Sequence, residues 1–525
     1  MPAISRAVAI PLVLWSLAWQ GGVLADAGTD LSGAARRGDV QLLQQLLATG
    51  VDAELPDTSG KTPLALAASL GRTDVVKVLL KHKVNIDAAD RNGQTALILA
   101  ARGGHIGVIE ALLDGKPALE QTDNDGMTAL HWAAMRGRPE VATALVRQGA
   151  AVNALNRAGA TPLHFAVARR DSATAQLLAA NGADLEVIDT QSDMTPLLLA
   201  IEQEDTVTAR LLLEHGATPD HANSKQVTPL MLAAGKGLQD IVQTLLKRGV
   251  DIDARNTTGQ NALLAALAAN QTGNAELLLA HKAAINISDQ RGLTPLMLAA
   301  QAGNTALVET LLDAGAAIDQ QDSRGFTALT GAAWAGQSEV VRLLLVRGAR
   351  QLRDNAQRTV LMWAASTGQV EAIDILLAAG ADIDAADTRG TTALMLALGK
   401  PEALQALLSA GASVDRKDSR GFTALMSAAW TGRVKAAREL LAHGTKIDAR
   451  DDRTGRTALM WAALKGHPGF VSLLLEAGAD PALLDNEGKT AAGLAEQYRQ
   501  KAVVELLAGR KAAERTREES TATSP

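Results

Sequence analysis

An apolar stretch opened by threonine, Gly126 to Ala134 (GMTALHWAA), recurs along the chain as GKTPLALAA, GATPLHFAV, GLTPLMLAA, GFTALMSAA and GRTALMWAA. Aligned on the opening residue, the copies fall at Thr62, Thr95, Thr128, Thr161, Thr195, Thr228, Asn261, Thr294, Thr327, Thr359, Thr392, Thr423, Thr457 and Thr490, about 33 residues apart. After a short gap comes a second apolar segment with leucine pairs, as at Leu79-Leu80, Leu245-Leu246, Leu311-Leu312 and Leu376-Leu377. An apolar residue stands about one turn earlier, at Val76, Val242, Val308 and Ile373. This spacing predicts a helix with one inward stripe. A fixed period of this size predicts stacked two-helix units.

The polar positions punctuate the units. The Thr62 hydroxyl can cap a helix whose first residue, Pro63, lacks an N–H that would be unpaired there anyway. Two residues before the cap a glycine follows an aspartate, as at Asp90 and Gly93 or Asp322 and Gly325, which predicts a turn tip. One unit is too short to bury a core alone, so its second apolar side is predicted to be covered by the next.

The T-P-L openings, the V-x-x-LL segments and the closing G-A resemble the ankyrin pattern over about nine-tenths of the chain, from Leu31 to Leu507. The resemblance implies an all-α ankyrin-repeat solenoid of β-turn plus helix-turn-helix units, about 13 full repeats with N- and C-terminal caps. It also implies a role in binding proteins, not catalysis. Residues 26–59 are expected to form the N-terminal capping repeat, with Arg36, Arg37, Gln41, Gln44 and Gln45 on its polar outer side. The array is placed at 60–487 and the C-terminal capping repeat at 488–507. The tail 508–525 carries mixed charge and no apolar residue larger than alanine, which predicts disorder.

Departures from the period are local. One extra residue lies between Gly182 and Thr195, and Asp193 and Gln226 replace the turn glycine. The run Glu202, Gln203, Glu204, Asp205 reads as a solvated loop or as a local acidic contact. In Leu398-Gly399-Lys400-Pro401 the turn between helices is about two residues short and a proline interrupts, predicting a tighter turn and a bend. Loop lengths change after Gly348 and Gly444.

The N-terminus has its own pattern. Arg6, an apolar run of about 13 residues from Ala7 to Trp19, and Val23-Leu24-Ala25 before Asp26 predict a secretory signal peptide, residues 1–25, cut after Ala25. The alternative, an uncleaved anchor, would need roughly 20 apolar residues to span a bilayer. The expectation is an exported, soluble, monomeric protein, periplasmic or secreted, without stable membrane insertion once the signal is removed. It is similar to bacterial periplasmic ankyrin proteins, a group that implies support of oxidative-stress defence as one reading.

The chain has no cysteine, which removes disulfides, thiolate nucleophiles and cysteine-ligated metals. A net charge of −6 argues against a broad nucleic-acid surface. HExxH, GxxxxGK[ST] and GxSxG are absent, as is a GxGxxG in strand-helix context, so no enzyme activity and no cofactor are expected. His131 and His164 match the family position that hydrogen-bonds between neighbouring turns. His82, His215, His281 and His443 suit the C-termini of second helices.

Met231, Met297, Met362, Met395, Met426 and Met460 share one slot, which reads as flexible filling between repeats. The alternative is an oxidative-stress or ligand- and metal-binding protein using these Met and His positions. Against it, side chains on stacked helices about 8–10 Å apart cannot share one ion. A sacrificial role would require exposed sulfurs.

Trp132, Trp363, Trp461 and Phe165 precede the paired alanines and read as core. Trp334 and Trp430 follow the pair, at a position the resemblance places on the exposed concave face, and Phe326 and Phe422 stand just before the capping threonine. With Arg324 and Arg420 beside them, these six residues are the candidate partner-binding set, being of types enriched at interface hot spots. The alternative is that each tryptophan folds over the neighbouring repeat. On the binding reading, Trp430→Ala is expected to weaken a partner interaction and leave folding largely intact.

Overall fold

The computed structural model describes residues 27–509; the expected signal peptide and residues 510–525 of the expected tail lie outside the described residues. The architecture follows from the unit. From Thr62 on, a threonine starts nearly every first helix: Thr62 Oγ1 accepts the Ala65 N–H at 3.2 Å, with Pro63 in the first helical position. Asn261 does the same with its amide oxygen, 3.0 Å from the Leu264 nitrogen. First helices such as Pro63–Ser69 and Ala96–Gly103 bury the alanine pair, and second helices such as Thr73–Lys81 and Ile106–Asp114 bury the apolar stripe. Within each of the two units described below, first helices pack on first helices of the next repeat, and second helices mostly on second.

Contacts divide the described residues into two compact units, meeting at Thr218 and Pro219. The first holds six helix pairs, from Ala27–Arg37 with Val40–Ala48 to Pro196–Glu202 with Thr206–Glu214. The second holds nine, from Pro229–Lys236 with Gln239–Lys247 to Ala491–Gln497 with a helix over 501–509. In the first pair Arg36, Arg37, Gln41, Gln44 and Gln45 are all exposed while Leu31 and Leu43 are buried. Among the described residues no helix is long and apolar enough to cross a membrane.

The turns join the repeats by backbone. Asp123 Oδ1 accepts the N–H groups of Asp125 and Met127, both at 2.9 Å, and the Arg157 N–H donates to the Asp125 carbonyl at 3.0 Å in the turn before. At Gly126, φ is 78° and an added Cβ would stand 2.8 Å from the Arg157 nitrogen, so both conformation and contact demand glycine. Asp193, Gln226 and Gln357 hold the same left-handed conformation, φ 56°, 58° and 62°, without that freedom.

Two irregular stretches resolve. Pro401 does not interrupt a helix: it is the first residue of Pro401–Ser409, and the shortened first helix, Ala393–Leu396, ends in a 3-10 turn over Ala397–Gly399. In the acidic run, Asp205 caps Thr206–Glu214 by accepting the Thr208 N–H at 3.1 Å.

Candidate protein-binding surface

Two aromatic clusters in the second unit are built alike. In the first, the Asp322 carboxylate organises its turn by accepting the Arg324 and Phe326 N–H groups at 2.9 and 2.8 Å. Its other oxygen pairs with the Arg324 guanidinium at 2.8 Å, which places that cation over the Phe326 ring, 4.2 Å from its centre. Phe326 is half-buried against Trp363 of the next repeat, with ring centres 4.8 Å apart in an edge-on arrangement. The Trp363 N–H donates to Asp354 at 3.1 Å and Arg358 lies 4.1 Å above the Trp363 ring. Trp334 is 41% exposed and borders a cavity of about 190 Å³ with Met297, Gln301, Asp322, Phe326 and Trp363.

In the second cluster Arg420 pairs with Asp418 at 2.7 Å and covers the Phe422 ring at 4.5 Å. Phe422 contacts both Trp430 and Trp461, at 6.2 and 5.0 Å, and the two indoles lie 5.0 Å apart. Arg456 lies 5.2 Å from the Trp461 ring, and the Lys465 ammonium stands 3.6 Å over Trp430.

Of the six candidate residues, the structure leaves Trp334 and Trp430 exposed, packs Trp430 against Phe422, and sets Trp334, Phe326 and Arg324 around one cavity. One expectation is corrected: Phe422 is only 5% exposed and supports Trp430 from beneath, because Arg420, Trp430 and Trp461 close over it. Both arginines are exposed and paired with their turn aspartates. Trp461 is buried as expected, but Trp363 is half-buried and belongs to the surface cluster. Trp132, also half-buried, is flanked by Arg102 and Arg136 at 4.8 and 5.6 Å and donates to Asp123 at 2.8 Å. The arginine preceding the cap, Arg358 or Arg456, was the sequence signal that the following tryptophan is stacked rather than simply enclosed.

The six histidines singled out in the sequence sit within the repeats' own caps and helix ends. His131 is fully buried, takes the Thr128 N–H on Nδ1 at 3.1 Å, and bridges from Nε2 to the Ala160 carbonyl of the next turn at 3.2 Å. Burial pulls its pKa down to about 4, against the opposing pull of the Ala160 carbonyl. Burial also lowers His164, whose Nε2 finds no partner at hydrogen-bond distance. His82, His215, His281 and His443 each turn Nδ1 back to the carbonyl four residues earlier, at 2.8–3.0 Å. All six methionines of the shared slot are buried, so the exposure that a sacrificial role requires is not met. Among the described residues no three His, Asp or Glu side chains are placed to hold a metal ion.

The family model described as ankyrin repeats (3 copies) matches residues 31–121, 115–189, 174–256, 240–322, 263–355, 314–387, 361–451 and 447–518. The chain belongs to the ankyrin repeat family. Ankyrin repeats are in general non-enzymatic scaffolds for protein–protein interaction. The chain is also similar to the NAD-capped RNA hydrolase NUDT12 of Macaca fascicularis, Pongo abelii and Homo sapiens, 33% identical over 81 residues. That overlap is 15% of this chain and 18% of each relative, so the chain spans less than a fifth of their length. It covers only ankyrin repeats and carries no catalytic element across.

Proposed function

We propose that this ankyrin protein is an exported, monomeric, non-enzymatic scaffold that binds a partner protein on the face formed by its turn tips and first helices, anchored by Trp334 and Trp430. The observation that carries the reading is that two indoles stay 41% and 40% exposed, Trp430 on a pre-formed platform of Phe422, Trp461 and Lys465, and Trp334 beside a cavity walled by Phe326 and Trp363. An aromatic side chain already held in place loses little freedom when a partner covers it, and such residues dominate binding energy. Export rests on the pattern of residues 1–25, and with it a periplasmic or secreted location.

The test recovers the mature chain from the periplasm and compares capture of periplasmic proteins by the wild type and by a Trp334→Ala, Trp430→Ala double variant of matched helical content. A protein held by the wild type alone supports the reading. Equal capture by both moves the site elsewhere, and a chain found only in the cytoplasm removes export.

A further inference from the structure

The two aromatic clusters differ in one respect that has a chemical meaning. Counting from the capping threonines, Trp334 and Trp430 occupy the same position, seven residues on; Trp363 and Trp461 match in the next repeat; and Arg358 matches Arg456. In the second cluster each of three rings carries a cation from the chain itself: Arg420 on Phe422, Arg456 on Trp461 and Lys465 on Trp430. In the first, Arg324 covers Phe326 and Arg358 covers Trp363, but Trp334 carries none. The residue matching Lys465, eight after the cap, is Thr367, whose hydroxyl turns back to the carbonyls of Trp363 and Ala364 at 3.0 and 3.3 Å.

The rings follow the same difference. Trp430 lies against Phe422 and Trp461, whereas Phe326 and Trp363 pack on each other, and the cavity of about 190 Å³ separates them from Trp334. Asp322 and Arg324 both line it, but they neutralise each other and the Asp322 side chain is almost fully enclosed, so neither presents a free charge to the cavity. An indole face beside a partly desolvated, aromatic-walled cavity is the environment in which an ammonium ion gains most.

The geometry points to the Trp334 cavity as a receptor for a lysine side chain of the docked partner protein, filling from outside the place that Lys465 fills from within at Trp430. This rests on the reading of Trp334 as a partner anchor and adds the chemistry of what is anchored. The butyl stem lies against Met297 and Phe326, and the ammonium meets the indole face. Arginine is a poorer fit because its planar fork is matched by stacking surfaces that Arg324 and Arg358 already cover.

The test uses the full chain labelled with 5-fluorotryptophan and follows the Trp334 fluorine resonance, assigned with Trp334→Phe, during titration with Nα-acetyl-lysine N-methylamide. The uncharged Nα-acetyl-norleucine N-methylamide is the comparison. A saturable shift at Trp334, with the lysine amide binding at least about threefold more tightly, is expected. Thr367→Lys, which installs the internal cation, abolishes the response, and Lys465→Met transfers a response to Trp430. Equal binding of the two amides, no shift at Trp334, or a response unchanged in Thr367→Lys overturns the assignment. The titration needs no partner, so the two readings fail separately. Partner capture lost with the tryptophans but no lysine response leaves the scaffold and removes the lysine pocket; a lysine response without partner capture does the reverse.

Discussion

The Arg456 guanidinium lies 3.0 Å from the carboxylate of Asp485 in the following repeat, with both side chains almost fully withdrawn from water. Asp322, Asp354 and Asp418 pair with arginines of their own turns, whereas here the pair crosses between repeats and is buried. Asp485 also accepts the N–H groups of Glu487 and Lys489 at 2.9 Å. Burial alone would raise its pKa, but those N–H groups and Arg456 together outweigh burial and hold it below the usual carboxylate value. Its contribution to stability is therefore present above the unfolded value, about pH 4, and is lost as pH falls through the lower folded one.

Removing the cation leaves a buried carboxylate without its charge partner. Arg456→Ala is expected to destabilise the chain by about 3 kcal/mol, read from urea unfolding at pH 7. The double variant Arg456→Met, Asp485→Asn is expected to recover most of that loss. Asparagine already serves this turn position at Asn156 and Asn256, where its side-chain oxygen accepts the same N–H groups. A loss below about 1 kcal/mol in the single variant would show that water compensates Asp485.

The fold was legible because its signals are local. Thr62 with Pro63, and Asp123 with Gly126, specify a cap and a turn within a few residues, and the period repeats them. Gln357 shows the limit: it adopts φ 62° where glycine is expected because the flanking repeats fix the turn regardless of its identity. The candidate site was legible only in part. GFTALTGAAWAG and GFTALMSAAWTG are nearly the same string, yet Phe326 stays half-buried and Phe422 is buried. What separates them lies about one period away, in Thr367 against Lys465 and in how close each following tryptophan approaches. Side-chain contacts between repeats leave no pattern inside either repeat.

The neutral form of His131 is part of its repeat junction. With Nδ1 accepting from Thr128, the proton sits on Nε2 and donates to Ala160, and a second proton would remove the acceptor. The folded pKa, about 4, lies below the ordinary value of 6.5. Between those values the unfolded chain takes up a proton that the folded chain refuses. Stability is therefore complete above about pH 6.5, declines as pH falls towards 4 and levels off below, by about 3 kcal/mol if His131 acts alone. His131→Met places in this slot the residue that six other repeats use. That variant is expected to lose clearly less stability between pH 7 and 4.5 than the wild type, measured by urea unfolding at both values. Equal losses would assign the pH dependence to other groups.

Equal exposure conceals unequal roles at Trp334 and Trp430. The Trp430 side chain touches Phe422 of its own repeat and Trp461 and Lys465 of the next, so truncation removes packing that joins two repeats. Trp334 makes no equivalent ring contact and borders open space. Trp430→Ala is expected to cost about 1–2 kcal/mol, Trp334→Ala less than about 1, and Phe422→Ala, which empties an enclosed site, about 3–5. This revises the expectation that Trp430→Ala leaves folding largely intact and makes Trp334 the cleaner probe of binding. Urea midpoints of the three variants check the order. A Trp334→Ala loss as large as that of Trp430→Ala would mean that the cavity closes in solution and that Trp334 packs on Phe326 and Trp363 as its counterpart packs on Phe422 and Trp461.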